Sequence, residues 1–177
     1  PRRRIELRLI GRADRRILLC KAVSQYDRRT REVQMDVARI LSEKGRDVLT
    51  TPPHRTVKEV AALLAARGVG AVVVSDDAIG VLGIVSERDI VRAIGRGSAS
   101  VLEEPVSRHM TAKVTTVTKD TSVDLVMEIM TNQRFRHLPV VENGRLVGIV
   151  SIGDVVKRHV DAIDSERHAL REYIASA

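Results

Sequence analysis

The chain is poor in thiols and rings: one cysteine (Cys20), three aromatic residues (Tyr26, Phe135, Tyr173) and no tryptophan in 177 residues. A lone cysteine excludes a disulfide framework and a cysteine-based metal cluster, and it fits a reducing, cytoplasmic setting. Three aromatics cannot build a base-stacking surface for single strands. No apolar run approaches the roughly 18 residues of a membrane span. The length also falls far below the roughly 250 residues of a typical catalytic barrel. No Walker-type glycine loop occurs, nor a visible nucleophile–base–orienter set. His54, His109, His159 and His168 lack ligand spacing with one another or with Cys20, so no metal site is expected. What remains is 44% hydrophobic and 30% charged, which suits one compact domain or two small halves sharing a core.

The net charge of +7 is not spread along the chain. Residues 1–34 carry 11 bases against four acids, whereas residues 35–177 carry 19 of each. The body is balanced and gives no support for nucleic-acid binding; only a basic arm at 1–34 could supply it. Residues 1–34 read best as a non-native or wrongly extended start, with Met35 as the initiator. Asp36 and Val37 then open an amphipathic helix (Val37, Ile40, Leu41) that Gly45 is placed to end.

The remainder repeats itself. Thr56-Val57-Lys58-Glu59 has the form of a capping box, and Val57, Val60, Leu63 and Leu64 share a helical face closed by Gly68. Sixty-six residues on, Ser122 opens the same pattern with Val123, Val126, Ile129 and Met130. Each helix is followed by a buried strand (Ala71–Val74; His137–Val141), a turn, and a second strand entering a helix (from Val81; from Leu146). The offset is 66 before the turn and 65 after it, so the first copy carries one inserted turn residue. Each unit reads β-α-β-β-α, and two such units pack best as a pseudo-twofold α/β pair. The expected divisions are a basic extension at 1–34, a first repeat at 35–100, a second at 101–160 and a C-terminal helix at 161–177.

Both copies carry Gly-hydrophobic-x-Ser-x-x-Asp where the second strand meets its helix: Gly83-Ile84-Val85-Ser86-Glu87-Arg88-Asp89 and Gly148-Ile149-Val150-Ser151-Ile152-Gly153-Asp154. Free backbone N–H groups beside such a serine suit a phosphate, and the aspartate can accept from a ribose diol. The same Ser-x-x-Asp is also an ordinary helix cap that needs no ligand. With this doubled heptad the chain resembles the CBS-domain pair, over about 47–160. Arg134–Val141 is similar to that family's middle strand, and the likeness is to small stand-alone pairs.

The resemblance implies two unequal pockets. The first would join Ser86, Arg88 and Asp89 to Arg134, Arg136 and His137 of the second copy, with Ile84 and Leu138 lining the base. His137 beside Arg136 could bind phosphate, its charge then varying near neutral pH, or be a plain strand histidine. The second pocket would pair Ser151, Asp154 and Ile149 with Gly70 and Ala71, which bring no charge. Thr116 and Thr121 match family positions that contact base or ribose. The implied function is non-catalytic regulation: an adenine nucleotide (AMP, ADP, ATP), NAD(H) or S-adenosylmethionine bridges the copies and shifts the activity of a regulated protein, with phosphorylated compounds preferred in the first pocket. The apolar positions Val156, Val160, Ile163, Leu170 and Ile174, with Tyr173 beside them, fit a homodimer or a fold-back onto the body. A ligand-free structural adaptor and a nucleic-acid binder acting through 1–34 stay as rivals.

Overall fold

The computed structural model describes residues 35–97 and 99–175; the readings made of 1–34 lie outside them. A helix α1 (Val37–Lys44) precedes the first copy, which runs β1 (Thr50–Thr51), α2 (Val57–Arg67), β2 (Ala71–Val74), β3 (Gly83–Ser86) and α3 (Glu87–Arg96). Two 3-10 turns follow, Ala99–Glu103 and Val106–Arg108. The second copy supplies α4 (Val123–Gln133), β4 (His137–Glu142), β5 (Arg145–Ser151) and α5 (Ile152–Ala175).

Local chemistry sets these ends. Asp36 caps α1, its carboxylate accepting from Arg39 N, and Gly45 N donates to Leu41 O at the other end. Thr56 and Glu59 form the expected capping box: Glu59 N donates to Thr56 Oγ1 at 3.2 Å and Thr56 N to Glu59 Oε2 at 2.9 Å. Gly68 closes α2 at φ 62°. In the sheet of the first copy β1 runs parallel to β2, and β2 antiparallel to β3 with Ala71 opposite Ser86. In the second copy β4 and β5 pair with His137 opposite Ser151, joined through Asn143 and Gly144 at φ 50° and 75°, the left-handed pair that a tight hairpin favours. The counterpart of β1 shrinks to Val117, bridged in parallel to Val140. The inserted residue of the first copy falls in a loop drawn in by Asp77, whose Oδ1 accepts from Ile79 N, Gly80 N and Ser75 Oγ. The second strand of that copy therefore starts at Gly83, two residues later than its apolar run suggests.

The opening segment of each copy packs on the other copy. Val106 N donates to Arg55 O and Ser107 N to Pro53 O; Val37 N donates to Thr121 O and Ala38 N to Lys119 O, the same acceptors 66 residues on. Val101 and Val106 thus complete a core with Val60, Leu64, Val72 and Val85, while Val37, Ile40 and Leu41 bury against the second copy. This explains the heptad's glycines. A Cβ on Gly148 would lie 2.6 Å from Leu41 Cδ2, and one on Gly83 would lie 2.4 Å from Met110 Sδ. Leu41 and Met110 hold equivalent places in the two exchanged segments.

The C-terminal helix is one element of 24 residues starting at the β5 junction, not a separate piece from 161, since nothing between Asp154 and Ile174 breaks it. Val155 is buried and Arg158 pairs with Glu43 of α1, so its first turns lie on the body. Val156, Val160 and Ile163 are about half exposed, at 48%, 49% and 51%. The side chains of Leu170 and Tyr173 lie outside the described residues. Among the described residues no helix is long and apolar enough to cross a membrane.

The close approach at Gly148 has a direct test. Gly148→Val is expected to lower stability by about 1–3 kcal/mol, read as a falling midpoint in thermal unfolding followed by circular dichroism. With Leu41→Ala added, the combined loss should be smaller than the two single losses together; full additivity would mean the two side chains do not meet.

Candidate ligand-binding clefts

Each Ser-x-x-Asp box is built at a strand-to-helix junction and satisfies its own backbone. Asp89 Oδ2 accepts from Ser86 N at 2.9 Å and Ser86 Oγ at 2.7 Å. Asp154 Oδ2 accepts from Ser151 N and Ser151 Oγ, both at 2.8 Å, and Asp154 N donates to Ser151 Oγ at 3.2 Å. Helix capping is therefore present in both copies. It uses one carboxylate oxygen; among the described residues no group donates to Oδ1 of either aspartate. The first amide of each helix is spent across the sheet, Glu87 N on Gly70 O and Ile152 N on Arg136 O.

At the junction of the copies lies a cavity of about 340 Å³. Ser86, Arg88, Asp89 and Ile84 reach it from the first copy, and Arg134, Arg136, His137 and Leu138 from the second, the grouping that the resemblance implies. Arg88 Nη1 donates to Arg134 O at 3.3 Å, tying α3 to the end of α4. Sequence reasoning missed Arg92, one turn beyond Arg88 and legible in its i+4 spacing. It also missed Thr111, Lys113 and Thr115, brought in because Ile84 and Thr111 exchange main-chain hydrogen bonds of 3.1 and 2.9 Å. Arg88, Arg92, Lys113, Arg134 and Arg136 face two acids, Glu87 and Asp89.

Arg134 closes α4 in the left-handed region at φ 58°, where the first copy has Gly68. A side chain in that conformation costs roughly 1 kcal/mol that glycine avoids. That cost is borne at a residue that lines the cationic cleft.

His137 and Gly70 stand between this cleft and a second, wider one of about 740 Å³. Ser151, Ile149, Gly70 and Ala71 line it as expected. Asp154, also expected there, does not itself line the cleft; it is joined to two residues that do, Ser151 and Lys44. The expectation that the facing residues bring no charge is corrected: Lys44, Asp47 and Arg67 line it too. Lys44 Nζ sits 2.6 Å from Asp154 Oδ2. The cause is the exchange of opening segments, which lays α1 across the second copy. Burial pulls the Asp154 carboxyl up, but the Lys44 and Ser151 donors outweigh it and hold it below the usual carboxylate range. Burial, then the charges of Arg136 and Lys44, hold His137 below its ordinary value against weaker opposition from Asp154 and Glu87. The imidazole is accordingly neutral at neutral pH in this state, whereas the sequence suggested a charge changing there. Thr116 is exposed and lines neither cleft; Thr121 Oγ1 accepts from Thr118 N at 3.0 Å in the turn before α4 and lines neither as well. Gly153, in the place of Arg88, adds no charge.

The chain belongs to the CBS domain family, whose sequence pattern matches residues 36–96 and 106–161. It is 33% identical over 147 residues to the mitochondrial CBS domain-containing protein CBSX3 of Arabidopsis thaliana, covering 78% of this chain and 71% of that one. A crystal structure of a CBS-domain containing protein from Agrobacterium tumefaciens is 49% identical, with TM-score 0.69, over 71% of this chain and 99% of the other. Two solved relatives carry adenosyl compounds. A CBS domain protein from Pyrobaculum aerophilum, complexed with AMP, is 31% identical with TM-score 0.60, over 68% of this chain and 89% of that one. The CBS domain pair of protein MJ0100, complexed with 5′-methylthioadenosine and S-adenosyl-L-methionine, is 25% identical with TM-score 0.63, over 71% and 99%. Two curated CBS domain-containing proteins from Arabidopsis thaliana are far longer, and the chain spans 20% of each.

The histidine gives the pH prediction its sign. A folded-state value below 6.5 means that the unfolded chain takes up the proton first as pH falls. Stability should be full above pH 6.5 and decline below it, and the Asp154 contribution should follow in a lower window, below 3.8. Urea unfolding at a series of pH values should show the upper decline vanish in His137→Gln. Persistence of that decline would assign it to another group.

Proposed function

We propose that the chain is a non-catalytic regulatory module that binds an adenine nucleotide at the junction of its two copies and transmits occupancy to a protein partner. One observation carries the reading: Asp89, with Oδ1 clear of any donor among the described residues, shares a cavity with five cationic side chains. The aspartate suits a ribose diol and the arginines suit phosphate oxygens, so one nucleotide satisfies both ends. The excess of cations favours AMP, ADP, ATP or NADH over the sulfonium of S-adenosylmethionine in this cleft. The AMP-bound relative supports the adenosyl class. Because the lining comes from both copies, a bound nucleotide favours one interdomain geometry, which a partner can read. The half-exposed Val156, Val160 and Ile163 on α5 support a homodimer.

Calorimetric titration of the full chain with AMP, ATP, NADH and S-adenosylmethionine tests this, in protein freed of carried-over nucleotide. At least one phosphorylated compound should bind, and Asp89→Ala should weaken it roughly 10- to 100-fold by removing a charge-assisted acceptor. Arg134→Gly should weaken it as well, while leaving the unfolding midpoint unchanged or higher. Silence from all four compounds would reduce the two boxes to helix caps and favour the structural adaptor.

A further inference from the structure

The two boxes are built alike, yet one carries a resident cation and the other does not. Asp154 Oδ2 receives three donors: Ser151 N, Ser151 Oγ and Lys44 Nζ. Asp89 Oδ2 receives only the two serine donors, and no cation pairs with Asp89 among the described residues. Lys44 is the last residue of α1, an element outside the heptad and delivered by the exchanged opening segment. Its position is held from several sides. Leu41, one turn earlier, is buried against Gly148, and Glu43 pairs with Arg158 of α5. Lys44 itself lines the second cleft, and the pair is sheltered, with side-chain exposures of 32% and 24%.

We infer that Lys44 is an internal competitor for the second cleft: its ammonium occupies the carboxylate on which a ligand's ribose diol would have to dock. Among the described residues Oδ1 is clear of donors in both boxes, and both Oδ2 atoms take the two serine donors. Asp154 differs in one respect: the Lys44 ammonium is a third donor on Oδ2 that neutralises the carboxylate and stands beside it, so a diol must compete with Lys44 for that charge and that space. The first cleft has no such competitor and fills first. Occupation of the second cleft then requires the end of α1 to let go of Asp154, so filling it alters the tie between α1 and the second copy. The inference rests on the adenosyl-binding reading of the boxes, but its test is separate from that of the first cleft.

The probe is 5′-methylthioadenosine, which has the ribose diol and no phosphate, titrated calorimetrically into the full chain. In Lys44→Met, which keeps the aliphatic stem, binding in the second cleft should tighten roughly fivefold or more, as expected for loss of a partly sheltered ion pair. Lys44→Arg should behave like the parent chain. The gain should disappear in Lys44→Met, Asp154→Ala and survive in Lys44→Met, Asp89→Ala. Unchanged or weaker binding in Lys44→Met would overturn the inference and make Lys44 a ligand contact or a bystander. A gain that survives Asp154→Ala would overturn it as well. Failure of the first-cleft reading would appear elsewhere, as nucleotide binding insensitive to Asp89→Ala.

Discussion

Four main-chain hydrogen bonds, from Val37, Ala38, Val106 and Ser107 to the loops that precede α4 and α2, hold each copy's opening segment on the other copy. Much else follows from them. They bring Leu41 over Gly148 and Met110 over Gly83, so the heptad's first residue must lack a side chain. They draw the linker past Ile84, which places Thr111, Lys113 and Thr115 in the first cleft. They also carry Lys44 to Asp154. A glycine that reads as part of a ligand motif is here a packing requirement, whereas the residues that follow it, Ile84, Ser86, Arg88 and Asp89 in the first copy, line the cleft.

Pseudo-symmetry of the backbone and asymmetry of the side chains have separate causes. Equivalent serines, aspartates and strand registers recur because capping and sheet pairing demand them at each junction. Charge is under no such demand. The first cleft concentrates arginines, one of them in a backbone conformation where the other copy keeps glycine. The second cleft balances Lys44 against Asp154. His137 and Gly70 form part of both walls, so a change of charge or position on one side is felt on the other.

Most of the fold was legible because its signals are local. Thr56 with Glu59, Ser122 at a helix start, Gly68 at a helix end and the apolar periodicity each report on a few neighbouring residues. The first cleft was legible through the doubled heptad and the family resemblance it carries, which implies the partners on β4. What escaped was non-local. Nothing in the sequence around Lys44 announces Asp154, and the presence of Lys44 in the second cleft depends on α1 crossing between copies. The exchange also blurs boundaries drawn from the repeat alone, since Val101 and Val106 precede the second copy's helices yet complete the core of the first. The burial that keeps His137 neutral is likewise a property of the assembled pair.

The exchanged segments have a consequence for how the molecule comes into being. Val37 and Ala38 are made long before Thr121 and Lys119, the groups that receive their amides. The first copy, in turn, lacks two core valines until the linker has been synthesised. The first copy therefore cannot finish its core until the linker is made, and α1 must wait longer, its apolar face uncovered, for β5 to arrive. Long-range closure of this kind slows folding and exposes apolar surface meanwhile. A hydrophilic run that ends α1 and leads toward β1, Glu43-Lys44-Gly45-Arg46-Asp47, lies where it can keep that waiting helix in solution.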